Sequence, residues 1–302
     1  MLQDRNGSVD HPPESEAKQH PAAGSVVAGL TLRAHRATWP RPMDQSATPT
    51  IIPPALLMQA YRSGVFPMAD ARDDAEIFWV EPKQRAILPL DRFRCSHSLA
   101  KVLRRDRFRV TCDVAFDAVV SACAAPRPAA EDSWISHRIQ ASYAELHRLG
   151  LAHSIECWHG DDQNAQLVGG LYGVGFDRVF CGESMFSRMT DASKVALAWL
   201  VAALRRAGAE LLDCQFITDH LASMGAIEIT QAQYLKRLAK AQRVAVSGES
   251  AAGARAGSGF TTGLAGVGFL PLPLAFAALL GEASPGSASP GKCIAQSLTQ
   301  TS

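Results

Sequence analysis

The chain has 302 residues, a net charge of +1 and 47% hydrophobic residues, which indicates a globular protein of one large or two modest domains. The near-zero net charge excludes a nucleic-acid-binding surface that covers the whole molecule, so any such contact has to be local. The seven cysteines form no C-x-x-C pair and mostly lie in apolar runs, which favours buried free thiols in a reducing cytoplasm over disulfides or zinc ligands.

The N-terminal part of the chain changes character near residue 50. Residues 1–50 are rich in proline, serine and histidine and show no apolar periodicity, so we interpret them as a disordered extension. They also lack the basic segment and apolar run of a signal peptide. Ordered structure is expected from Pro53-Pro54 onward, with a short helix that stops at Gly64.

The middle of the chain mixes short strands with helices. The N-caps expected for two of the helices are Ser136 and Asp191, and a hairpin turn is expected at 175–177. This order predicts an α+β fold with an antiparallel-rich sheet covered by helices. Strands are expected at 78–80, 86–88, 153–158, 166–174, 178–182 and 210–216, and helices at 96–105, 114–123, 136–150 and 192–207, followed by a final helix after the capping box of Thr230 and Gln233.

The C-terminal part is biased in composition. Residues 246–302 are rich in glycine, alanine and serine and are interpreted as a tail. Within it, residues 256–281 carry no charge and are long enough to span a bilayer. Pro271 and Pro273 and the lack of basic or aromatic anchors favour a loop, or a segment that packs back on the core, over a membrane span.

Polar residues interrupt two apolar strands. Glu183 follows Gly182 at the expected end of one strand. On the other strand, Asp213 and Gln215 are two residues apart and therefore point to the same face. An unpaired polar group buried there would cost a few kcal/mol, so these residues either form a structural hydrogen-bond network or line a site.

A basic run lies near the start of the ordered chain. Between Lys83 and Arg109 there are nine lysine or arginine residues and two aspartates, a local net charge of +7. Such a run is either a solvated face or a footprint for a phosphate backbone.

Seven separated stretches, in order, resemble the leucyl/phenylalanyl-tRNA–protein transferase family, and together they cover roughly residues 51–240. They read AYRSGVFPM, WVEPKQRAILPL, SWISHRI, SYAELHRLGLAHSIE, LVGGLYGV, FCGESMFSRMTDASKVAL and LLDCQFITDHLASMGA. The resemblance implies a small N-terminal domain at 51–107 and an acyltransferase domain of the GNAT N-acetyltransferase type at 108–245.

The resemblance also implies the reaction. Members move leucine, phenylalanine or sometimes methionine from aminoacyl-tRNA to a protein whose N-terminal residue is arginine or lysine, and the product enters N-end-rule degradation. The ester of the tRNA is already activated, so no metal or coenzyme is implied. A cytoplasmic monomer without membrane contact is expected on the same basis.

Family residues carried onto this chain give a candidate site. Glu183, Asp213 and Gln215 match the catalytic positions, and an amide such as Gln215 is expected to orient the attacking amine rather than to take its proton. Met68 replaces a tryptophan that many members carry. The residues implied to bind the amino-acid side chain and the terminal adenine are Phe180, Met185, Met68 and Trp134, and those implied to bind tRNA phosphates are Lys83, Arg85, Arg94, Arg104 and Arg105.

Two other functions are compatible with the same fold. An acyl-CoA-dependent N-acetyltransferase requires a glycine-rich loop at a helix start, and the corresponding residues 187–191 contain no glycine. A non-catalytic tRNA-binding protein would have no need of Glu183, Asp213 and Gln215 together.

Overall fold

The structure is a computed structural model that describes residues 51–126, 132–161, 163–243, 270–281 and 289–299. The predicted extension at 1–50 therefore lies outside the described residues. The strands are β1 (Phe66–Met68), β2 (Phe78–Val80), β3 (Gln84–Ile87), β4 (Arg109–Cys112), β5 (Ala152–His159), β6 (Gln166–Phe176), β7 (Val179–Ser187), β8 (Leu211–Gln215) and β9 (Ile227–Thr230). The helices are α1 (Pro54–Arg62), α2 (His97–Arg104), α3 (Phe116–Ala124), α4 (His137–Arg148), α5 (Ala192–Ala207), α6 (Asp219–Ser223), α7 (Gln231–Ala241), α8 (Leu272–Gly281) and α9 (Pro290–Thr299).

The strands form two sheets. β1 and β2 make a two-stranded antiparallel ribbon, and the other strands form one sheet in the order β4-β5-β6-β7-β8-β3-β9. Its pairings are antiparallel except that between β7 and β8, which are parallel and connected through α5. The predicted α+β fold with an antiparallel-rich sheet is confirmed. Because β3 lies inside the large sheet, the two sheets divide between Val80 and Gln84, earlier than the expected domain boundary at 107.

Apolar side chains cover both faces of the large sheet. Phe180 and Leu212 belong to a cluster with α5, whereas their neighbours Cys181 and Leu211 belong to a second cluster with α1, α3 and α4. The alternation of a strand sends successive side chains to opposite faces, which accounts for this division. α5 is apolar nearly all round because the sheet covers one side and α8 and α9 cover another, with the rings of Trp199 and Phe276 5.2 Å apart.

Most of the expected helix ends are confirmed. The Ser136 hydroxyl accepts a hydrogen bond from the backbone N–H of Ile139, and both hydrogen bonds of the capping box of Thr230 and Gln233 are present. Gly208 follows α5 with φ of 79°, in the left-handed region that glycine tolerates.

Three local predictions are wrong. Asp191 precedes α5 but has φ of 71° and its carboxylate does not cap the helix; the hydroxyl of Ser187 instead accepts from the N–H of Ser193. The hairpin turn lies at 177–178 rather than 175–177, because β6 extends to Phe176. The helix expected at 114–123 begins at Phe116, two residues late.

The C-terminal region contains more structure than a tail. α7 is followed by α8 and α9, so it is not the final helix of the chain. Leu272 is buried against the cluster around α5, as expected for an uncharged segment that packs back on the core, although residues 256–269 of that segment lie outside the described residues. Ile294 of α9 is buried against the same cluster. No helix within the described ranges is long and apolar enough to cross a membrane.

Candidate active site

The candidate catalytic residues meet where β7 and β8 separate. The parallel pairing of these strands ends at the pair Cys181 and Asp213. Two residues further along each strand are Glu183 and Gln215, and the amide Nε2 of Gln215 donates to Oε1 of Glu183 at 3.0 Å. The structure therefore brings together the three side chains that the sequence singled out.

Glu183 lies at a bulge within β7, not at the end of the strand as expected. Tyr172 pairs with Ser184 and Gly173 pairs with Gly182, so Glu183 has no partner on β6. A bulge re-aims a side chain relative to regular alternation, and bulges are frequent next to active sites. At Gly173 a Cβ atom would lie 2.3 Å from the carbonyl oxygen of Cys181, so only glycine fits beside the bulge.

The carboxylate of Glu183 is buried and held from two sides. Its exposed fraction is 6%, and its Oε2 accepts a hydrogen bond from the hydroxyl of Tyr143 at 2.9 Å. The hydroxyls of Tyr61 and Tyr143 are 2.6 Å apart, and because Tyr143 uses its proton on Glu183, Tyr61 is the donor in that pair. Burial raises the pKa of Glu183 from 4.5 to about 7, although the surrounding donors lower it in part. A carboxylate with this pKa can take up and release a proton near neutral pH.

Asp213 has a different environment. It is fully buried, and both of its oxygens accept from Arg85: Oδ1 from Nε at 2.9 Å and Oδ2 from Nη2 at 2.5 Å. Oδ1 also accepts the backbone N–H of Gln215 at 2.9 Å, and Oδ2 accepts the hydroxyl of Tyr234 at 3.0 Å. Four donors occupy this carboxylate, so it is better suited to hold its neighbours than to accept a proton from a substrate.

Gln215 has an unusual backbone conformation. Its φ of 59° is in the left-handed region, which is uncommon for a residue other than glycine. The hydrogen bond from its N–H to Asp213 fixes this conformation and directs the amide toward Glu183. Such strain persists where the surroundings over-determine it, and it is concentrated at functional sites.

The side chains expected to bind the substrate do not all line one surface. Phe180 is 1% exposed and packs in the cluster with α5. Met185 is half-buried beside the same cluster. Met68 and Trp134 are half-buried beside the second cluster, the one that contains Tyr61 and Tyr143.

The residues expected to bind tRNA differ in their exposure to solvent. The side chains of Lys83, Arg94, Arg104 and Arg105 are exposed, whereas Arg85 is buried in its pair with Asp213 and is not available to a phosphate. A depression of about 530 Å³ on the surface of α2 continues the basic region and is lined by Ser98, Lys101, Val102, Arg105 and Arg107.

The sequence reasoning missed three tyrosines of the site. Tyr61, Tyr143 and Tyr234 are nearly inaccessible, and the pKa of each is raised chiefly by burial. A tyrosine on the apolar face of a helix is a detectable signal, because its hydroxyl requires a polar partner inside the protein. The spacing of Tyr143 with Ile139 and Leu146 carried that signal.

Within the described part of the chain, no group of three or more histidine, cysteine, aspartate or glutamate side chains is arranged to hold a metal ion. The side-chain groups that form the hydrogen bonds of the site are two carboxylates, one amide, the tyrosine hydroxyls and one guanidinium.

Comparisons with known proteins agree with the family resemblance. A family model described as leucyl/phenylalanyl-tRNA protein transferase matches residues 87–239, and a model of the N-terminal domain of the same transferase matches residues 51–83. A leucyl/phenylalanyl-tRNA–protein transferase of Novosphingobium aromaticivorans is 66% identical over 264 residues, which cover 84% of this chain and 98% of the relative. The transferase of the same name from Zymomonas mobilis is 60% identical over 191 residues, covering 63% of this chain and 70% of the relative. That of Rhizorhabdus wittichii is 59% identical over 202 residues, covering 67% and 79%.

Proposed function

The chain belongs to the leucyl/phenylalanyl-tRNA protein transferase family, and from that premise we propose how its own residues carry the reaction. It is an aminoacyltransferase that moves leucine or phenylalanine from aminoacyl-tRNA to the N-terminal arginine or lysine of a protein. We further propose that methionine is accepted as a donor and that the enzyme works as a monomer in the cytoplasm.

Glu183 is the proposed general base. The α-amine of the acceptor attacks the ester carbonyl carbon, a C–N bond forms, and the nitrogen becomes positively charged. Glu183 takes a proton from this nitrogen and returns it to the ribose oxygen when the C–O bond breaks, so protons and electrons balance. The observation that carries this role is the buried carboxylate with a pKa of about 7, between donors from Tyr143 and Gln215.

Gln215 and Asp213 are proposed to prepare the site rather than to exchange protons. The amide of Gln215 orients Glu183 and, through its own oxygen, the attacking amine. Asp213 holds Gln215 in place. A large part of the rate enhancement then comes from the positioning of the two reactants. In well-oriented reactions this effect lowers the barrier by about 7–11 kcal/mol.

The donor side chain is proposed to bind beside Met185, at the cluster with α5, and Met68 and Trp134, which lie beside the second cluster, are proposed to contact the terminal nucleotide. Methionine side chains adapt to ligands of different shape, which suits a pocket that takes both leucine and phenylalanine. Trp134 is proposed to stack on the terminal adenine, a contact worth about 1–3 kcal/mol per base. Phe180, in the cluster that Met185 packs against, is proposed to form the inner wall of the same pocket.

The basic surface is proposed to hold the tRNA. Lys83, Arg94, Arg104 and Arg105 are exposed, and the depression on α2 adds Lys101 and Arg107. Exposed cations of this kind bind phosphates with a strong dependence on salt.

The test of the proposed function is a transfer assay. The full chain is incubated with labelled Leu-tRNA and a peptide that begins with arginine, with an alanine-start peptide and acetyl-CoA as controls. We expect label only on the arginine-start peptide, and we expect Glu183→Gln to abolish most of it. Acetylation of the peptide would indicate an acyl-CoA enzyme, and tRNA binding without transfer would indicate a non-catalytic protein; either result contradicts the proposal.

A further inference from the structure

Arg85 is buried, although the family resemblance implied that it binds tRNA. It lies on β3, between β8 and β9, and is 1% exposed. A buried guanidinium is costly to remove from water, and replacing a buried ion pair by apolar residues is often neutral or stabilising. The fold alone therefore gives little reason for an arginine at this position.

The contacts of Arg85 fix its guanidinium from every side. Its Nε and Nη2 donate to the two oxygens of Asp213, and Nη1 donates to the carbonyl oxygen of Gly64 at 3.1 Å. The ring of Phe66 lies 4.8 Å from the guanidinium carbon and the ring of Tyr234 lies 4.4 Å from it. The small N-terminal ribbon, the large sheet and α7 thus converge on one cation.

A continuous series of hydrogen bonds leads from this cation to the catalytic carboxylate. Oδ1 of Asp213 accepts from Arg85 and also from the backbone N–H of Gln215. That second bond holds the left-handed conformation of Gln215, whose side chain donates to Glu183. A rotation of the Asp213 carboxylate would release Gln215 and remove one of the two donors that orient Glu183.

We propose that Arg85 is a positioning residue of the transferase: it locks the carboxylate of Asp213, and through Gln215 it fixes Glu183 in the orientation that the reaction needs. This inference rests on the proposed catalytic role of Glu183. Arginine is required because its planar fork engages both carboxylate oxygens, whereas lysine offers a single point charge.

Arg85→Lys is the principal test, with two arginine controls. Because a small misplacement of a reacting group can cost about 100-fold, we expect kcat for leucyl transfer to fall at least about 10-fold while KM for Leu-tRNA changes less than about 2-fold. Arg148→Lys, an exposed arginine on α4 paired with Glu145, is expected to change neither quantity. Arg104→Gln is expected to raise KM and to lower the slope of log KM against log salt by about 0.7–0.9, as for one lost phosphate contact.

The pH profile separates positioning from a loss of folded protein. Asp213 raises the pKa of Glu183, so weaker neutralisation of Asp213 in Arg85→Lys is expected to move the rising limb of the kcat profile to higher pH. Removing both charges in the double variant Arg85→Met/Asp213→Asn avoids a lone buried charge and is expected to move that limb to lower pH, with kcat still reduced. A folded fraction that is the same at every pH lowers the rate without moving the midpoint, so the folded fraction of each variant is measured over the same pH range and the rates are corrected for it.

Each outcome decides the proposal. Opposite shifts of the midpoint in the two variants, with KM for Leu-tRNA preserved, support it. Arg85→Lys with the KM and salt behaviour of Arg104→Gln would assign Arg85 to tRNA binding and overturn it. Unmoved midpoints in both variants would leave Arg85 a purely structural role and also overturn it. A wild-type chain that transfers no leucine refutes the proposed function itself, which these variants do not.

Discussion

Replacing Glu183 by glutamine keeps the size of the side chain and removes its capacity to take a proton. The glutamine can still accept from one neighbour and donate to the other, so the hydrogen bonds to Tyr143 and Gln215 can be rearranged without loss. Since a positioned general base contributes about 10²- to 10⁴-fold to a rate, we expect kcat to fall by roughly this factor with little change in KM. In the wild type, the rate should rise with pH through about 7, where Glu183 loses its proton.

The same substitution should change the pH dependence of stability. The pKa of Glu183 is raised from an ordinary 4.5 to about 7 in the folded protein, so the folded state binds the proton more tightly. The free energy of unfolding of the wild type therefore decreases as the pH rises through this window. At about 1.4 kcal/mol per pKa unit, the decrease amounts to at most about 3 kcal/mol. Glu183→Gln lacks this titration, so its stability relative to wild type should increase by up to that amount on going from about pH 5 to about pH 8.

Urea unfolding of both proteins at the two pH values measures the difference. Glu145→Gln is the control: hydrogen bonds from Arg148 lower the pKa of Glu145, so its contribution to stability is already present at about pH 5, and its substitution should change the free energy of unfolding by nearly the same amount at both pH values. A Glu183→Gln variant that retains wild-type kcat would refute the general-base role. A stability difference that is the same at both pH values would refute the raised pKa on which that role rests.

Other expectations follow from single contacts. Tyr143→Phe removes a donor to the ionised form of Glu183, so the rising limb of the pH–rate profile should move to higher pH and the rate at neutral pH should fall several-fold; an unmoved limb would contradict the hydrogen bond. Gly173→Ala forces a Cβ atom to 2.3 Å from a backbone carbonyl oxygen and should destabilise the protein by about 1–3 kcal/mol or more in thermal unfolding. Gly150→Ala, with open space around it and φ of 72°, should cost only about 1 kcal/mol, so equal losses in the two alanine variants would refute the steric argument. Arg104→Gln should weaken Leu-tRNA binding most at low salt. The slope of log affinity against log salt concentration should become shallower by the amount expected for about one phosphate contact, and an unchanged slope would remove Arg104 from the tRNA surface.

Local sequence signals were reliable where the cause is local. The capping box at Thr230 and Gln233 and the stop at Gly208 depend on residues within one helical turn, and each is present in the structure. The α+β class and the order of the longer strands and helices followed from apolar periodicity in the same way, whereas the short elements β1, β4, α6 and β9 were not predicted. Asp191 shows the limit of such reasoning: the residue type suits a cap, but its left-handed backbone turns the side chain away and Ser187 takes the role.

Three members of the candidate site were predicted, but the tyrosines and the arginine that contact them and the arrangement of the site were not. The family motifs named Glu183, Asp213 and Gln215, and the structure brings them together. The residue pattern of β7 did not predict the bulge, because a bulge depends on how the strand pairs with its neighbour β6.

The sequence by itself determined the fold class, the family and the identity of the polar residues in two apolar strands, since these depend on residue type and short-range order. Only the tertiary structure decided that Arg85 pairs with Asp213, across 128 positions of the chain, instead of facing a phosphate. Burial likewise decided that Glu183 has a pKa of about 7, because the cost of charging a carboxyl depends on the atoms that exclude water from it. Those atoms come from α1, α4 and β8, which are distant in sequence and adjacent only in the folded protein.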